Sequence, residues 1–497
     1  MGKEEEAPLL VKSGEEEKNG VVVSSSSDHS TFYQELKTVS SMAAPMVAVT
    51  VSQYLLQVVS MMMVGHIGKL AFSGVAIATS FAEVTGFSVL GRSHSMQKLG
   101  MAGALETLCG QTYGAEDFKK LGNYTSCAIM SLMFVCIPIS VVWIFMDKIL
   151  LLFGQDPEIS HVARVYCIYL IPALYGYGVL QSLVRYFQTQ CMIYPMVFSS
   201  IAVLCLHVPV CWGLVYGLGM GHVGAALAIG ISYWLNVIGL GLYMKYSKAF
   251  EKTQIVFSSS ALLNIAEFFQ FAIPSGLMVC FEWWSFELLT LLAGLLPDPQ
   301  LETSILSVCL SISTLHYFVP YGVGAAASTR VSNELGAGNP KRARNAVYVV
   351  LVIGIAEAAV ISMVFFFCRR ILGYAYSNDL EVINYVAQMV PFLCLSVSSD
   401  TLAGILCGIA RGGGFQRVGA YVNLGAYYLI GTPASILMGF VLHWRAKGLW
   451  LGILAGSMVQ AVVLTVVTAF TDWEKEARNA RERLQKESPE EPNNESV

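Results

Sequence analysis

The chain has 497 residues, of which 55% are hydrophobic and only 13% are Asp, Glu, Lys or Arg. Soluble domains carry about 25% charged residues, so this composition excludes an ordinary soluble protein and favours one embedded in a bilayer. The net charge of -4 provides no basic surface for nucleic acid, and we expect no nucleic-acid partner. The twelve cysteines are scattered without a C-x-x-C pair or zinc-like spacing, so we expect no metal and no cofactor.

The chain begins with a polar tail. Residues 1–34 are rich in Glu, Lys and Ser and hold too few apolar residues to fold, so we expect a disordered segment. Within it, the letters E-E-A-P-L-L at 5–10 fit an acidic dileucine sorting signal, which is read on the cytosolic side of a membrane.

Twelve apolar segments follow, each long enough to cross a bilayer as a helix. After them, residues 472–497 form a charged tail, and the alternating signs at 474–486 favour a short solvated helix. We place the spans near residues 39–64, 72–90, 121–146, 161–183, 192–216, 223–243, 261–295, 304–327, 346–367, 382–409, 418–442 and 448–470.

A polar, cationic stretch at residues 91–98 interrupts the end of the second span. A helix running straight through it would place Arg92 and Lys98 at membrane depth unless their side chains reach back to the interface. In a continuous helix, the eight residues 91–98 would add two turns and roughly 80°. The part of the helix after them would therefore be rotated relative to the part before them.

The two halves of the chain repeat, with matching positions separated by a nearly constant interval. Six spans in each half insert with the same orientation, and parallel repeats of this kind are typical of transporters that alternate access by rocking two lobes. We therefore expect an N-lobe at 35–250 and a C-lobe at 251–471. The alternative is duplication in a membrane protein that does not transport. The matches are residues 114–120 with 336–342, Arg185 with Arg411, Gln190 with Gln416, Pro209 with Pro433, and Gly224 with Gly448.

Basic residues set the orientation. The loops on the side of the N-terminus hold about twice as many as the opposite loops, which predicts that both termini are cytosolic. The residues on this side are Lys119, Lys120, Arg185, Lys245, Lys248, Lys252, Arg330, Lys341, Arg342, Arg344, Arg411 and Arg417.

No catalytic or nucleotide-binding motif is present, so we expect a non-enzyme whose transport is driven by an ion gradient. A charge at the bilayer centre costs on the order of 3 kcal/mol or more, which makes an acid within a span a functional candidate. Glu282 is the first such acid, because Pro274, eight residues earlier, can kink the helix and open a pocket. Asp400 is the second, because Ser396 and Ser399 flank it with hydroxyl groups.

Two further acids are secondary candidates for proton or cation coupling. Glu287 lies five residues beyond Glu282, about 140° further round a helix, so the two cannot face one cavity squarely. An ion pair between helices would also explain it. Glu357 lies near the middle of the ninth span.

Four aromatic residues provide a candidate substrate pocket. Trp283, Trp284, Tyr317 and Tyr321 could stack on planar or cationic compounds. An aromatic belt at the membrane interface or packing between lobes explains each of them equally well.

Four stretches together resemble the plant branch of the multidrug and toxic compound extrusion (MATE) family. They are ALETLCGQTYGA at 104–115, FEWW at 281–284, STRVSNELGAGNP at 328–340 and GIARGGGFQ at 408–416. The resemblance covers residues 35–470, and against it residues 91–98 look like an insertion that resembles translated intron sequence. It implies two six-helix bundles around a V-shaped cavity, and a proton or cation site in the second lobe at Glu282 and Asp400.

We therefore expect an all-α polytopic membrane protein, monomeric, in the vacuolar or plasma membrane. Its expected function is proton-coupled antiport of small organic compounds, such as xenobiotics, organic cations and flavonoid- or alkaloid-like metabolites. Protons, the substrate and the lipid bilayer are its expected partners. A non-transporting scaffold or an intramembrane enzyme acting on lipid is the alternative.

Overall fold

The computed structural model describes residues 26–87, 100–257, 264–374 and 380–486, and in these ranges the chain forms helices and no strands. Twelve of the described helices are long and apolar enough to cross a membrane, which confirms the all-α polytopic class. The sorting motif at 5–10 and the interruption at 91–98 lie outside the described residues. The twelve cysteines are all free thiols.

The first lobe contains six spans and two short helices. The short helices are α3 and α5, and α3 carries residues of the 104–115 motif. In chain order the helices are α1 (Ser26–Gly65), α2 (Lys69–Phe87), α3 (Ala104–Gly114), α4 (Phe118–Ile144), α5 (Met146–Leu152), α6 (Pro157–Thr189), α7 (Tyr194–Gly217) and α8 (Gly221–Tyr246).

The second lobe contains the other six spans, and it is followed by a helix at the C-terminus. The helices are α9 (Ile265–Ala293), α10 (Pro299–Gly336), α11 (Pro340–Phe367), α12 (Arg369–Tyr374), α13 (Leu380–Gly413), α14 (Gln416–Val441), α15 (Arg445–Ala469) and α16 (Trp473–Lys486). Much of α14 is wound as a π-helix, over Gly425–Gly431 and Leu437–Val441.

The sequence repeat is also a repeat of packing. Gly224 of α8 lies directly against the backbone of Leu214. Gly448 of α15 lies against the backbone of Met438 in the same way. A side chain at either glycine would collide with the neighbouring backbone, so each hairpin depends on a small residue for its close approach.

We call the end of the molecule at which α1 begins and α15 ends the terminal face. Here Arg330 of α10 donates two hydrogen bonds to Glu35 of α1, at 2.7 and 3.0 Å. Phe32 also packs edge-on against Tyr348 of α11. These contacts tie the start of α1 to the second lobe. The described part of the expected disordered tail, residues 26–34, forms the first turns of α1, while residues 1–25 lie outside the described chain.

The C-terminal helix α16 also differs from expectation. Trp473, Ala477 and Ala480 are buried on one of its faces. Lys120 of α4 donates to the carbonyl of Leu484 at 2.5 Å, so the helix is held against the first lobe. The expected helix is present, but it is not solvated on all sides, because the alternating charges occupy only the outer side of an amphipathic helix.

Candidate functional site

Asp400 is buried on α13 and receives its hydrogen bond from another helix. Ser457 of α15 donates from Oγ to Asp400 Oδ1 at 2.5 Å, and the same hydroxyl lies 3.1 Å from Ser399 Oγ. Asp400 also interacts electrostatically with Tyr317 and Tyr427. A hydroxyl donor aimed at a buried carboxylate stabilises the charged form, which would otherwise be costly at this depth.

Glu282 is 4% exposed on α9, eight residues beyond Pro274, which lies inside the same helix. One turn before it, the carbonyl of Met278 accepts a hydrogen bond from Asn423 Nδ2 of α14 at 2.6 Å. The region around Glu282 is thus joined to α14 by a polar contact.

A chain of buried polar groups continues from Asn423 towards Asp400. Gln460 Nε2 donates to Asn423 Oδ1 at 2.8 Å, and Tyr427 Oη donates to Gln460 Oε1 at 2.8 Å. Because Tyr427 also interacts with Asp400, the network links the helix of Glu282 to the surroundings of Asp400. The π-helical turns of α14 carry Tyr427 within this network.

Sequence reasoning missed the four neutral members of this network. Asn423, Tyr427, Ser457 and Gln460 are all buried. Each lies in one of the predicted runs 418–442 and 448–470, which hold no charged residue, so the only available signal was a polar side chain within an apolar run. That signal is weak, because hydroxyl and amide groups commonly join helices in membranes.

Glu357 belongs to a separate polar cluster. Its carboxylate lies 3.0 Å from His316 Nε2 of α10 and accepts a hydrogen bond from Thr401 Oγ1 of α13 at 3.1 Å. Thr401 follows Asp400 directly in the chain, so the two clusters lie on different sides of α13. His316 was not singled out by the sequence, because a lone histidine in a span has no distinguishing pattern. Glu287 is partly buried and makes no hydrogen bond or ion pair with the described residues.

Three of the four predicted aromatic residues lie together. Trp283, Tyr317 and Tyr321 form a buried cluster with Val279. Trp284 lies apart, with 37% of its surface exposed and its ring edge-on to Phe281.

The aromatic cluster borders the contact between the lobes. Tyr321 lines a small cavity with Thr50 and Gln53 of α1 and Gln181 of α6. Tyr321 Oη also accepts a hydrogen bond from Arg185 Nη2 at 2.6 Å. The cluster therefore presents aromatic and polar groups at the interlobe surface. Among the described residues, no group of three or more His, Cys, Asp or Glu side chains is placed to hold a metal ion.

Comparison with known proteins identifies the family and the fold. The MatE family profile matches residues 45–213 and 274–437. Protein DETOXIFICATION 9 of Arabidopsis thaliana is 50% identical over 484 residues, which cover 97% of this chain and 97% of the relative. Protein DETOXIFICATION 14 of the same plant is 51% identical over 464 residues, covering 93% and 94% of the two chains.

Solved structures give the same result. The crystal structure of the eukaryotic MATE transporter AtDTX14 superposes with a TM-score of 0.86 at 52% identity, covering 91% of this chain and 100% of that one. The Vibrio cholerae MATE transporter VcmN in its bent form shares the fold, with a TM-score of 0.78 at 14% identity and coverage of 91% and 99%. With the family profile and near-full-length relatives in agreement, the chain belongs to the MatE family and is a MATE transporter, not an enzyme.

Proposed function

We propose that this protein is a proton-coupled antiporter that exports small organic compounds from the cytosol by alternating access. The two lobes rock about their contact and expose the interlobe cavity to one side of the membrane at a time. Proton uptake and release in the second lobe drives the exchange.

One observation carries this proposal: a buried network runs from the Met278 carbonyl, on the helix of Glu282, to Tyr427, which interacts electrostatically with Asp400. An acid within a membrane protein is costly, and it is normally retained to move protons or ions. Here two acids lie in one lobe, with a chain of hydroxyl and amide groups leading from the helix of one towards the other. Protonation of either acid removes a charge and alters the hydrogen bonds that hold α9, α13, α14 and α15 together.

Glu357 has a secondary role in the proposal. Its pairing with His316 provides a second place in the same lobe where a proton can reside. Thr401 connects this pair to the helix of Asp400. Glu287 lacks comparable contacts, and we give it no role in proton transfer.

We place the substrate beside the cluster formed by Val279, Trp283, Tyr317 and Tyr321. Aromatic rings stack on planar compounds and attract organic cations. The detoxification names of the relatives are consistent with export of xenobiotics or of flavonoid- and alkaloid-like metabolites. In this proposal the terminal face lies in the cytosol, which the excess of basic residues in its loops supports, and the membrane is the vacuolar or the plasma membrane.

The test is dye efflux from proteoliposomes under an imposed pH gradient, with proton counter-flow recorded in the same vesicles. We expect Glu282→Gln and Asp400→Asn each to lower proton-driven efflux by about tenfold or more. Glu158→Gln is the matched control, because Glu158 is an exposed acid at the start of α6. Full proton-driven efflux in both variants would overturn the proposed coupling.

A further inference from the structure

Three charged side chains from both lobes meet at the terminal face, away from the proton network. Glu106 of α3 is fully buried. Its Oε1 lies 3.1 Å from Arg185 Nη1 of α6, and its Oε2 lies 2.9 Å from Arg411 Nε of α13. Both arginines are also buried. One carboxylate therefore joins an arginine of its own lobe to an arginine of the other lobe.

The repeat makes this arrangement asymmetric. Arg185 and Arg411 occupy matching positions in the two halves. The alignment that pairs Gly114 with Gly336 places Glu106 opposite Ser328. Two related cations thus share one anion, and only the first lobe supplies it.

The surroundings show that the lobes are in close contact here. Gly114 of α3 lies against the backbone of Asn333 of α10, and Gly336 of α10 lies against the backbone of Gln111 of α3. The repeat pairs Gly114 with Gly336 and Gln111 with Asn333, so each of these contacts is the counterpart of the other. In the same region, Thr107 Oγ1 donates to the carbonyl of Arg411.

A further hydrogen bond between the lobes comes from Gln188 of α6. Its Nε2 donates to the carbonyl of Ala325 and to Thr329 Oγ1, both at 3.0 Å. The charged groups are therefore enclosed by a dry interface, where attraction between charges is strongest.

Opening the terminal face divides these contacts unequally. The bond between Glu106 and Arg185 stays within the first lobe, while the bond between Glu106 and Arg411 must break. Entry of water then weakens the attraction and hydrates Arg411. The ion pair is strong while it is buried and weak once it is hydrated. It therefore favours a closed face or an open face over partly opened arrangements.

We propose that Glu106 is the positioning residue that locks the terminal face closed by holding Arg411 of the opposite lobe, and that this bond breaks once in every transport cycle. This inference rests on the proposed alternating access. It makes the two arginines unequal. Loss of Arg411 removes the ion pair between lobes, whereas loss of Arg185 removes its hydrogen bond to Tyr321 but leaves Glu106 facing Arg411 across the interface.

A native cysteine reports on the lock. Cys191 lies between α6 and α7 at the seam between lobes, where Asn333 Nδ2 lies 3.9 Å from its sulfur. The Cys191 thiol is only partly exposed, and desolvation raises its pKa to about 11, so its reaction with a maleimide is slow at neutral pH while the face is closed. Separation of the lobes hydrates this thiol and accelerates its reaction with a maleimide.

The experiment measures maleimide labelling of Cys191 by peptide mass spectrometry, with purified protein and no gradient or substrate. We expect Arg411→Gln to accelerate labelling by roughly 5-fold to 150-fold, the usual range for coupling between two states. Arg185→Gln loses its hydrogen bond to Tyr321 but keeps the ion pair between lobes, so it should be labelled more slowly than Arg411→Gln. Glu106→Gln should resemble Arg411→Gln.

The control is Cys136, which is buried within the first lobe and must stay unlabelled if the protein is folded. If Glu106→Gln cannot be produced as folded protein, the comparison of the two arginine variants tests the lock. Equal labelling in Arg411→Gln and Arg185→Gln, or no acceleration in Arg411→Gln, would overturn the lock. The assay involves no proton flux, so a failure of proton coupling at Glu282 and Asp400 would not change its outcome.

Discussion

Ser457 Oγ lies 2.5 Å from Asp400 Oδ1, so a hydroxyl partner of this buried acid comes from α15, a neighbouring helix. The flanking serines have other partners, since Ser396 Oγ accepts from Trp450 Nε1 and Ser398 Oγ donates to the carbonyl of Cys394. Protonation of Asp400 would therefore act directly on the contact between α13 and α15.

Ser457→Ala tests this contact. A hydrogen bond to a charged group contributes about 1.5–3 kcal/mol, so we expect proton-driven efflux to fall by about tenfold or more. The measurement is the initial rate of dye efflux in proteoliposomes. Ser435→Ala is the control, because the Ser435 hydroxyl is buried but donates only to backbone carbonyls. Equal rates for the two variants would contradict a special role for Ser457.

The pair formed by His316 and Glu357 predicts a non-additive result. We expect His316→Gln and Glu357→Gln each to slow efflux, because each leaves the other group without its partner at 3.0 Å. The double variant should then be no slower than the slower single variant, as expected for two groups that act as one unit. If the two effects multiply, the residues act independently.

The C-terminal helix α16 should stabilise the fold. Trp473 is buried, and the Arg483 guanidinium lies over the ring of Phe271 at the base of α9. Burial of one large apolar side chain contributes about 1.5–3 kcal/mol, so truncation after Asp472 should lower the melting temperature measurably in a detergent thermal-shift assay. Truncation after Lys486 removes only the charged end and should leave the melting temperature unchanged. If both truncations melt like wild type, α16 has no stabilising role.

Glu106 should remain charged throughout the physiological pH range. Burial raises the pKa of Glu106, but attraction to Arg411 and then to Arg185 outweighs it and leaves the pKa below the ordinary value of 4.5. A carboxyl with a lowered folded pKa contributes stability above its unfolded pKa, and loses that contribution as pH falls through the folded value.

The melting temperatures of wild type and Glu106→Gln should therefore differ by a constant amount between about pH 8 and pH 5.5. The difference should shrink only at pH below the ordinary carboxyl pKa of 4.5. Thermal shift across this series measures it directly. A difference that disappears between pH 7 and pH 5.5 would show that Glu106 takes up a proton in the working range.

The spans were predictable because an apolar run of about 20 residues is visible in any sequence of this kind. Glu282 and Asp400 stood out for the same reason, as charges within such runs. The repeat also identified Arg185 and Arg411 as equivalent positions. Their convergence on Glu106 was not predictable, because that acid lies in a polar, small-residue stretch where a charge has no obvious cost.

Neutral residues and the tails were harder to interpret. Ser457 and Gln460 are ordinary in a membrane helix until their partners are known. The tail helix gave a usable signal, because Trp473, Ala477 and Ala480 recur at helical spacing beneath the alternating charges.

The asymmetric contact at the terminal face also bears on how the closed arrangement can be reversible. Both lobes belong to one polypeptide, so each experiences the other at an effective concentration that a short connection can raise to the millimolar range. Separate lobes would need a large permanent interface to remain associated. In one chain, a single carboxylate shared between two guanidinium groups has only to favour the closed arrangement over the open one, so it can be weak enough to be broken and remade at every turnover.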